Sequence, residues 1–579
     1  MTGQTMTAEA TSPVSQMSPR WVDHYPAGID WRMPIPKGTV PGLLDEAAAR
    51  YPQNPAIGFL GRSTSYSDLA AEVDRVAAGL QRIGVKRGTK VGLFLPNTPT
   101  FIVYYFGILK AGGTVVNFNP LYTVEELTFQ ARDSETEIMV THDLALLFTK
   151  IEALLQASVI SRAVVVPFAS VLSPLKSVLF RIFKRKDIAN VTRSPSAARV
   201  VDGLELAATR TPFSSVAIDP DNDIAVLQYT GGTTGTPKGA MLTHANIVAN
   251  TKQVVAWGTV LKPGEECVLG ALPLFHVFAM TVVMTVGIEL AAKIVLIPRF
   301  QLIETLKLIN SEKPTMMPVV PTILTAMLNF EHIKSYNLSS LKFCLSGGAP
   351  LPLETKLKFE AMAAGSTKVV EGYGLSETSP VLTANPLDGE PVSGSIGMPL
   401  PGTMISLRSL DDPTKEVAQG ERGELCAKGP QVMKGYWKRP EETAKQFVGD
   451  FLRTGDVAVM DENGYFAIVD RIKDLIICSG FNVYPRRVEE AIYAHPAVEE
   501  VTVIGVPDPY RGEAPKAFVK LKAGMTATAP EMLEFLKAKI SKIEMPAAIE
   551  FRDSLPKTMI GKLSKKELTA EEAQRGKSA

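Results

Sequence analysis

The chain has 579 residues, too many for a single hydrophobic core, so two or more domains are expected. Lys and Arg number 61 against 60 Asp and Glu, a net charge of +1, so nothing in the global charge points to nucleic acid. Hydrophobic residues at 45% and charged residues at 21% place it among ordinary soluble globular proteins. The four cysteines (Cys267, Cys344, Cys426, Cys478) are scattered without a C-x-x-C, which suits a reducing cytoplasm and argues against a structural zinc site. The six histidines form no metal cluster either.

Residues 1–34 read as a disordered or extended lead. The first twenty are rich in Ser, Thr and Met, with one Arg and no apolar centre, unlike a signal peptide. From 90 to 166 the chain alternates in type: strand at 90–95, helix at 100–110, strand at 115–118, helix at 124–132 and strand at 138–141. A helix capped by Asp143 then runs to Gln156, followed by a strand at 163–166. That spacing predicts βαβ units and a parallel sheet covered on both faces. Residues 175–186, Leu-Lys-Ser-Val-Leu-Phe-Arg-Ile-Phe-Lys-Arg-Lys, place apolar residues at helical spacing among several cations. Two readings stand there: a basic amphipathic helix on an anionic membrane surface, or a surface helix packed on its own domain.

Tyr229-Thr-Gly-Gly-Thr-Thr-Gly-Thr-Pro-Lys-Gly-Ala-Met-Leu-Thr-His244 follows an apolar run at 224–229 that reads as a buried strand, and precedes a stretch that can start a helix. A Gly/Thr loop at such a junction has the chemistry of a polyphosphate cradle. Glycine admits backbone N–H groups close to an anion, Thr adds hydroxyls and Lys238 a mobile positive charge. It is not a Walker A loop, because Pro237 and Gly239 flank the Lys. The longest apolar run, 277–288, is too short to span a bilayer and predicts a buried helix. Strand–helix alternation continues to about 380, gives way at about 395–469 to short runs split by Gly and Pro that suit a small β-subdomain, and ends in a compact α+β segment. In that last segment, helices are expected at 485–494 and 531–541, and strands at 501–506 and 517–521.

The 229–244 loop resembles the signature of the adenylate-forming acyl-CoA synthetase superfamily. Glu371-Gly-Tyr-Gly-Leu-Ser-Glu-Thr378, Leu452-Arg-Thr-Gly-Asp456, Asp470-Arg-Ile-Lys-Asp474, Ser479-Gly-Phe-Asn-Val-Tyr-Pro485 and Leu555-Pro-Lys-Thr-Met-Ile-Gly-Lys562 resemble its other motifs, in the same order. Val115-Val-Asn-Phe-Asn-Pro-Leu-Tyr122 and Leu272-Pro-Leu-Phe-His-Val-Phe278 resemble bacterial long-chain fatty acid–CoA ligases in particular. The resemblance implies an α/β fold: a large N-terminal domain (35–469) of two parallel-rich sheets and a β-subdomain, and a mobile α+β C-terminal domain (470–579) that turns on a hinge at Lys473. It implies two half-reactions, acid plus ATP giving acyl-AMP, then transfer of the acyl group to coenzyme A.

The same resemblance assigns roles. Thr230, Gly231, Gly232, Thr233, Thr234, Gly235 and Lys238 would hold the phosphates, Ser376 would touch a phosphate oxygen, and Glu377 would hold Mg²⁺. Tyr373, between Gly372 and Gly374 and after Glu371, would stack on adenine, with Gly347, Gly348 and Ala349 closing the other face. Asp456 would accept from the ribose hydroxyls with Arg471 beside it, His276 would lie where the carboxylate arrives, and Lys562 would bridge carboxylate and α-phosphate. Ser479, Gly480 and Phe481 would line the coenzyme A path. By residue type alone, Glu377 reads equally as a helix-start carboxylate, Tyr373 as core, His276 as a structural histidine, and Lys562 as part of a solvated tail with Lys557, Lys565 and Lys566.

The resulting expectation is an ATP-dependent ligase for medium- or long-chain fatty acids, cytoplasmic and without nucleic-acid partners, with a peripheral place on the inner membrane face and a homodimer left open. The alternatives are a ligase for aromatic or dicarboxylic acids, an acyl-AMP ligase serving a carrier protein, and a degenerate ATP-binding module.

Overall fold

The computed structural model describes residues 19–209, 211–230, 237–363, 367–387, 392, 394–479, 481–558 and 563–578. It is a mixed α/β protein with a large N-terminal domain and a smaller C-terminal one. In the first sheet, six parallel strands lie in the order Val200–Asp202, Arg162–Val166, Ile138–His142, Lys90–Leu93, Thr114–Asn117 and Ile224–Thr230. The Val- and Ile-rich runs of five of these strands are buried on both faces, as a parallel sheet requires, while the edge strand Val200–Asp202 is only half-buried. The helix Pro99–Lys110 begins on a proline and is buried from Thr100 to Leu109, so it has no polar side to show solvent.

The second sheet joins Cys267–Gly270, Lys293–Leu296, Pro55–Phe59 and Arg62–Ser65. Bridges through Met316 link it to Phe343–Ser346 and Lys368–Gly374. The run at 277–288 is the expected buried helix, with all but Phe278 of it buried. It contains a π-helical stretch, Met280–Thr285, a distortion found often beside functional sites. From it the Thr281 hydroxyl donates to the Ser379 carbonyl at 2.6 Å, tying the helix to the turn Ser376–Thr378.

Two local expectations are corrected. The helix expected after the Gly/Thr segment is present, but a strand not expected there, Lys238–Thr243, comes first and pairs antiparallel with Ile224–Thr230. Its alternating Ala240 and Leu242 are buried against the sheet, and the helix starts only at His244, where Thr243 and Asn246 form a capping box. Asp143 is not the cap of the next helix either. That helix is Ala145–Gln156 with Leu144 at its cap, and the Asp143 carboxylate instead accepts from the Phe168 N–H at 2.7 Å.

A five-stranded antiparallel sheet between Met404 and Arg471 follows. The C-terminal part is built on a longer hairpin than expected, Val498–Asp508 with Gly512–Leu521, flanked by Ile476–Cys478, Phe481–Val483 and Ala548–Phe551. Helices Pro485–Tyr493 and Ala529–Leu536 cover it, and Ile476, Val488, Ile492, Val501, Val519 and Met532 make a core of its own. All four cysteines are buried free thiols. Among the described residues no helix is long and apolar enough to cross a membrane.

Tyr66 shows how the halves of the large domain are fastened: fully buried on the helix Tyr66–Arg82, it donates to the Ala292 carbonyl at 2.8 Å at the start of the second sheet's strand Lys293–Leu296. Tyr66→Phe is expected to destabilise the protein by about 1 kcal/mol, seen as a lower denaturant midpoint at unchanged slope.

Candidate active site

A cleft of about 1790 Å³ opens between the large domain and the small one. That exceeds an ordinary single-ligand pocket of roughly 300–1,000 Å³ and leaves room for two substrates side by side. Its floor is the C-terminal edge of the parallel strands, where open α/β sheets place ligands. There Asn117, Gln228 and Thr230 come from the first sheet, while Gly347, Gly348 and Ala349 follow Phe343–Ser346 in the second.

Gly347 leaves little room for a side chain, because a Cβ would lie 3.0 Å from the Phe278 ring, and Gly348 takes φ +79°. Glu371, Gly372, Tyr373 and Gly374 run along the opposing strand, Lys368–Gly374. A Cβ on Gly374 would meet the Pro380 carbonyl at 1.8 Å, so only glycine lets the chain turn here into Ser376 and Glu377. The Tyr373 hydroxyl donates to Asp456 Oδ2 at 2.6 Å, and Arg471 Nε donates to Asp456 Oδ1 at 3.1 Å. Asp456 is only 3% exposed. Its charge raises the Arg471 pKa, and burial, then the same carboxylate, raises that of Tyr373. Each carboxylate oxygen keeps a further acceptor site for a ligand hydroxyl.

On the phosphate side, Ser376 and Glu377 lie on the cleft wall. Glu377 Oε1 accepts from the Tyr436 hydroxyl at 2.7 Å. Lys238 is not on that wall. Its ammonium pairs with Glu442 at 2.8 Å and lies 4.6 Å from the centre of the Tyr436 ring. Among the described residues no cluster of three or more His, Cys, Asp or Glu could hold a metal by itself. One carboxylate facing a cleft still suits Mg²⁺, which is commonly bound by one or two carboxylates, substrate phosphates and water. His276 lines the cleft with Phe275, Val277 and Phe278, and its Nδ1 accepts from the Phe278 N–H at 3.3 Å. Gly231, Gly232, Thr233, Thr234 and Gly235 lie outside the described residues.

The small domain supplies the remaining wall. Lys473 and Asp474 lie on it, and burial, then the charge of Arg471, lowers the Lys473 pKa. Gly480 and Lys562 lie outside the described residues. Thr558 and Leu563, on either side of 559–562, are on the wall, and their bases are clasped by Ser564 N–H to the Pro556 carbonyl at 2.8 Å. Ser479, at φ +51°, and the exposed Phe481 are not among the described wall residues.

In the charged tail Lys557 and Lys566 are exposed, as a solvated face would have them, while Lys565 is half-buried. Lys557 pairs with Glu500, and Lys565 pairs with Glu489 at 3.0 Å. Burial works to lower the Lys565 pKa, but Glu489 and Asp470 outweigh it and raise it. Neither this cluster nor Tyr436 was expected. Lys565 carries no signal beyond its place in a Lys run, and Tyr436 only that of an aromatic after Gly435 in a Gly- and Pro-broken stretch.

Enclosure raises Glu371 from 4.5 to about 7, against the bond it accepts from the Leu351 N–H, and raises Asp470 to about 6. For a carboxyl whose folded pKa is raised, the folded state holds the proton more tightly than the unfolded one, so stability falls as pH rises between the two values. Glu371 is therefore expected to cost roughly 1–3 kcal/mol between about pH 4.5 and pH 7. Relative to the unaltered protein, Glu371→Gln should lose less stability as pH rises from about 4.5 to 7, read as the difference between the two curves of urea midpoint against pH.

The sequence profile of AMP-binding enzymes matches residues 44–437, and that of the AMP-binding enzyme C-terminal domain matches 487–562. The long-chain-fatty-acid–CoA ligase of Bacillus subtilis is 43% identical over 555 residues, covering 96% of this chain and 98% of the relative. The enzyme of the same name from Escherichia coli O157:H7 is 37% identical, covering 95% and 98%. Among solved structures, ATP-bound MatB from Rhodopseudomonas palustris superposes with a TM-score of 0.79 at 29% identity, covering 92% of this chain and 99% of that one. With matches of this extent and a fold and cleft of this form, the chain belongs to the AMP-binding enzyme family.

Proposed function

We propose that the protein is an ATP-dependent fatty acid–CoA ligase acting through acyl-AMP on medium- or long-chain acids. The observation that carries this is the composition of one cleft. A nucleotide side of Tyr373, Asp456, Arg471 and Glu377 shares the cleft with the apolar Phe275, Val277, Phe278, Pro321 and Leu328, and Lys358, which lines the cleft from the neighbouring helix, is already paired with Glu354. A dicarboxylate would need a cation there for its far end, whereas an alkyl chain gains from burial. Its relatives in Bacillus subtilis and Escherichia coli carry the same activity in their names.

In the first half-reaction a carboxylate oxygen of the acid attacks the α-phosphorus, the bond to the bridging oxygen breaks, and pyrophosphate leaves. Tyr373 and the 347–349 loop enclose the base, and Asp456 accepts from the ribose while Arg471 holds its orientation. Glu377 would hold Mg²⁺, which when bound neutralises charge on the phosphates. Lys238 would exchange Glu442 for a phosphate oxygen. His276 orients the incoming carboxylate, and Lys562 stabilises charge between carboxylate and α-phosphate. The positions of Thr558 and Leu563 on the wall support that role.

In the second half-reaction the thiolate of coenzyme A attacks the acyl carbonyl, the mixed-anhydride C–O bond breaks and AMP leaves; the thiol proton passes to solvent. Ser479 and Phe481 lie off the wall, which supports reading this arrangement as the adenylating one. The boundary between 35–469 and 470–579, with Lys473 as pivot, would let the 476–483 hairpin replace the 558–563 segment at the cleft.

Lys562→Ala is expected to lower acyl-AMP formation by ~10²–10³-fold and to spare thioester formation from supplied acyl-AMP; equal loss of both steps would remove Lys562 from its role. The function itself is tested by AMP and thioester formation with saturated acids of graded length, aromatic acids and dicarboxylates, with and without coenzyme A. A maximum on medium or long alkyl acids that requires coenzyme A is expected. A maximum on dicarboxylates or aromatic acids would overturn the substrate reading, and acyl-AMP without thioester would point to a carrier-protein acceptor.

A further inference from the structure

The helix Pro174–Phe183 carries its apolar residues on the wrong side for a surface helix. At about 100° per residue, Leu175, Val178, Leu179, Ile182 and Phe183 share an arc of about 140°. All five face solvent, with Leu175 71%, Ile182 63% and Phe183 77% exposed. The inward side holds only Ser177 and Phe180, half-buried, with the Phe180 ring 5.1 Å from Phe168. Lys176 fixes the helix to the Leu60 carbonyl at 2.8 Å. A contiguous apolar surface of this kind marks a site that something covers.

Charge identifies the cover. Lys176, Arg181, Lys184, Arg185 and Lys186 are all exposed on this helix and the turn after it, against the single acid Asp187, which pairs with Lys184 at 3.4 Å. A second copy would bring the same patch to itself in a two-fold dimer and set cation against cation. An anionic lipid surface offers phosphates to the cations and an acyl boundary to the apolar arc. We propose that the helix Pro174–Phe183 docks the protein on an anionic bilayer, with Leu175, Ile182 and Phe183 inserted between headgroups and the cations on the phosphates. This does not depend on which acid the cleft activates.

The full-length protein should co-sediment with vesicles of phosphatidylcholine mixed with phosphatidylglycerol, and poorly with phosphatidylcholine alone, with binding falling as salt rises. The double variant Ile182→Asp, Phe183→Asp and the triple variant Lys184→Gln, Arg185→Gln, Lys186→Gln should each lower binding by at least ~10-fold. Acyl-AMP formation in vesicle-free solution should stay unchanged in both, which separates lost docking from lost folding. Equal binding to neutral and anionic vesicles, binding to neither, or binding unchanged in the double variant would overturn the proposal. So would light scattering that shows a wild-type dimer converted to monomer by the double variant, since a second copy would then be the cover.

Discussion

Asp456 is the point on which the site depends. A carboxylate only 3% exposed needs partners, and it finds them in Tyr373 from the second sheet and in Arg471, the last residue of the antiparallel sheet between Met404 and Arg471. Asp456 and Arg471 face each other on paired strands of one sheet and Tyr373 comes from another, so one carboxylate holds the nucleotide wall and the β-subdomain in register. Removing any one partner would leave a buried charge short of a donor, which makes the arrangement stiff where a ribose would be read.

The same pairing recurs around the cleft. Lys238 is held by Glu442, Arg471 by Asp456 and Lys565 by Glu489. A site that is to accept both a polyphosphate and a second anion needs concentrated positive charge, yet unpaired cations packed together would repel one another. Holding each cation against a carboxylate resolves this, and an arriving phosphate exchanges one anionic partner for another. Tyr436, beneath the Lys238 ammonium and bonded to Glu377, links the two charged groups on the phosphate side.

Much of this was legible in the sequence. Strand and helix alternation from 90 to 166 appears nearly residue for residue, because those elements are buried and their apolar runs have no other way to satisfy packing. The hairpin at 224–243 was not legible: a Gly/Thr loop followed by Ala240 and Leu242 reads equally as the lead into a helix, and only pairing with Ile224–Thr230 decides it. Motif spacing placed Tyr373, Asp456 and Arg471 together through resemblance. The partners of Glu377, Lys238 and Lys565, namely Tyr436, Glu442 and Glu489, belong to no local pattern and become visible only when distant segments meet. The helix Pro174–Phe183 was open between two readings, and its outward apolar arc follows from the one ring, Phe180, that anchors it.

The central claim is that this cleft activates an acid through an adenylate before coenzyme A takes part. The most direct measurement is exchange of labelled pyrophosphate into ATP in the absence of coenzyme A. The account predicts exchange that appears only when a medium- or long-chain fatty acid is present. Exchange that waits for coenzyme A, or that proceeds without any acid, would contradict it.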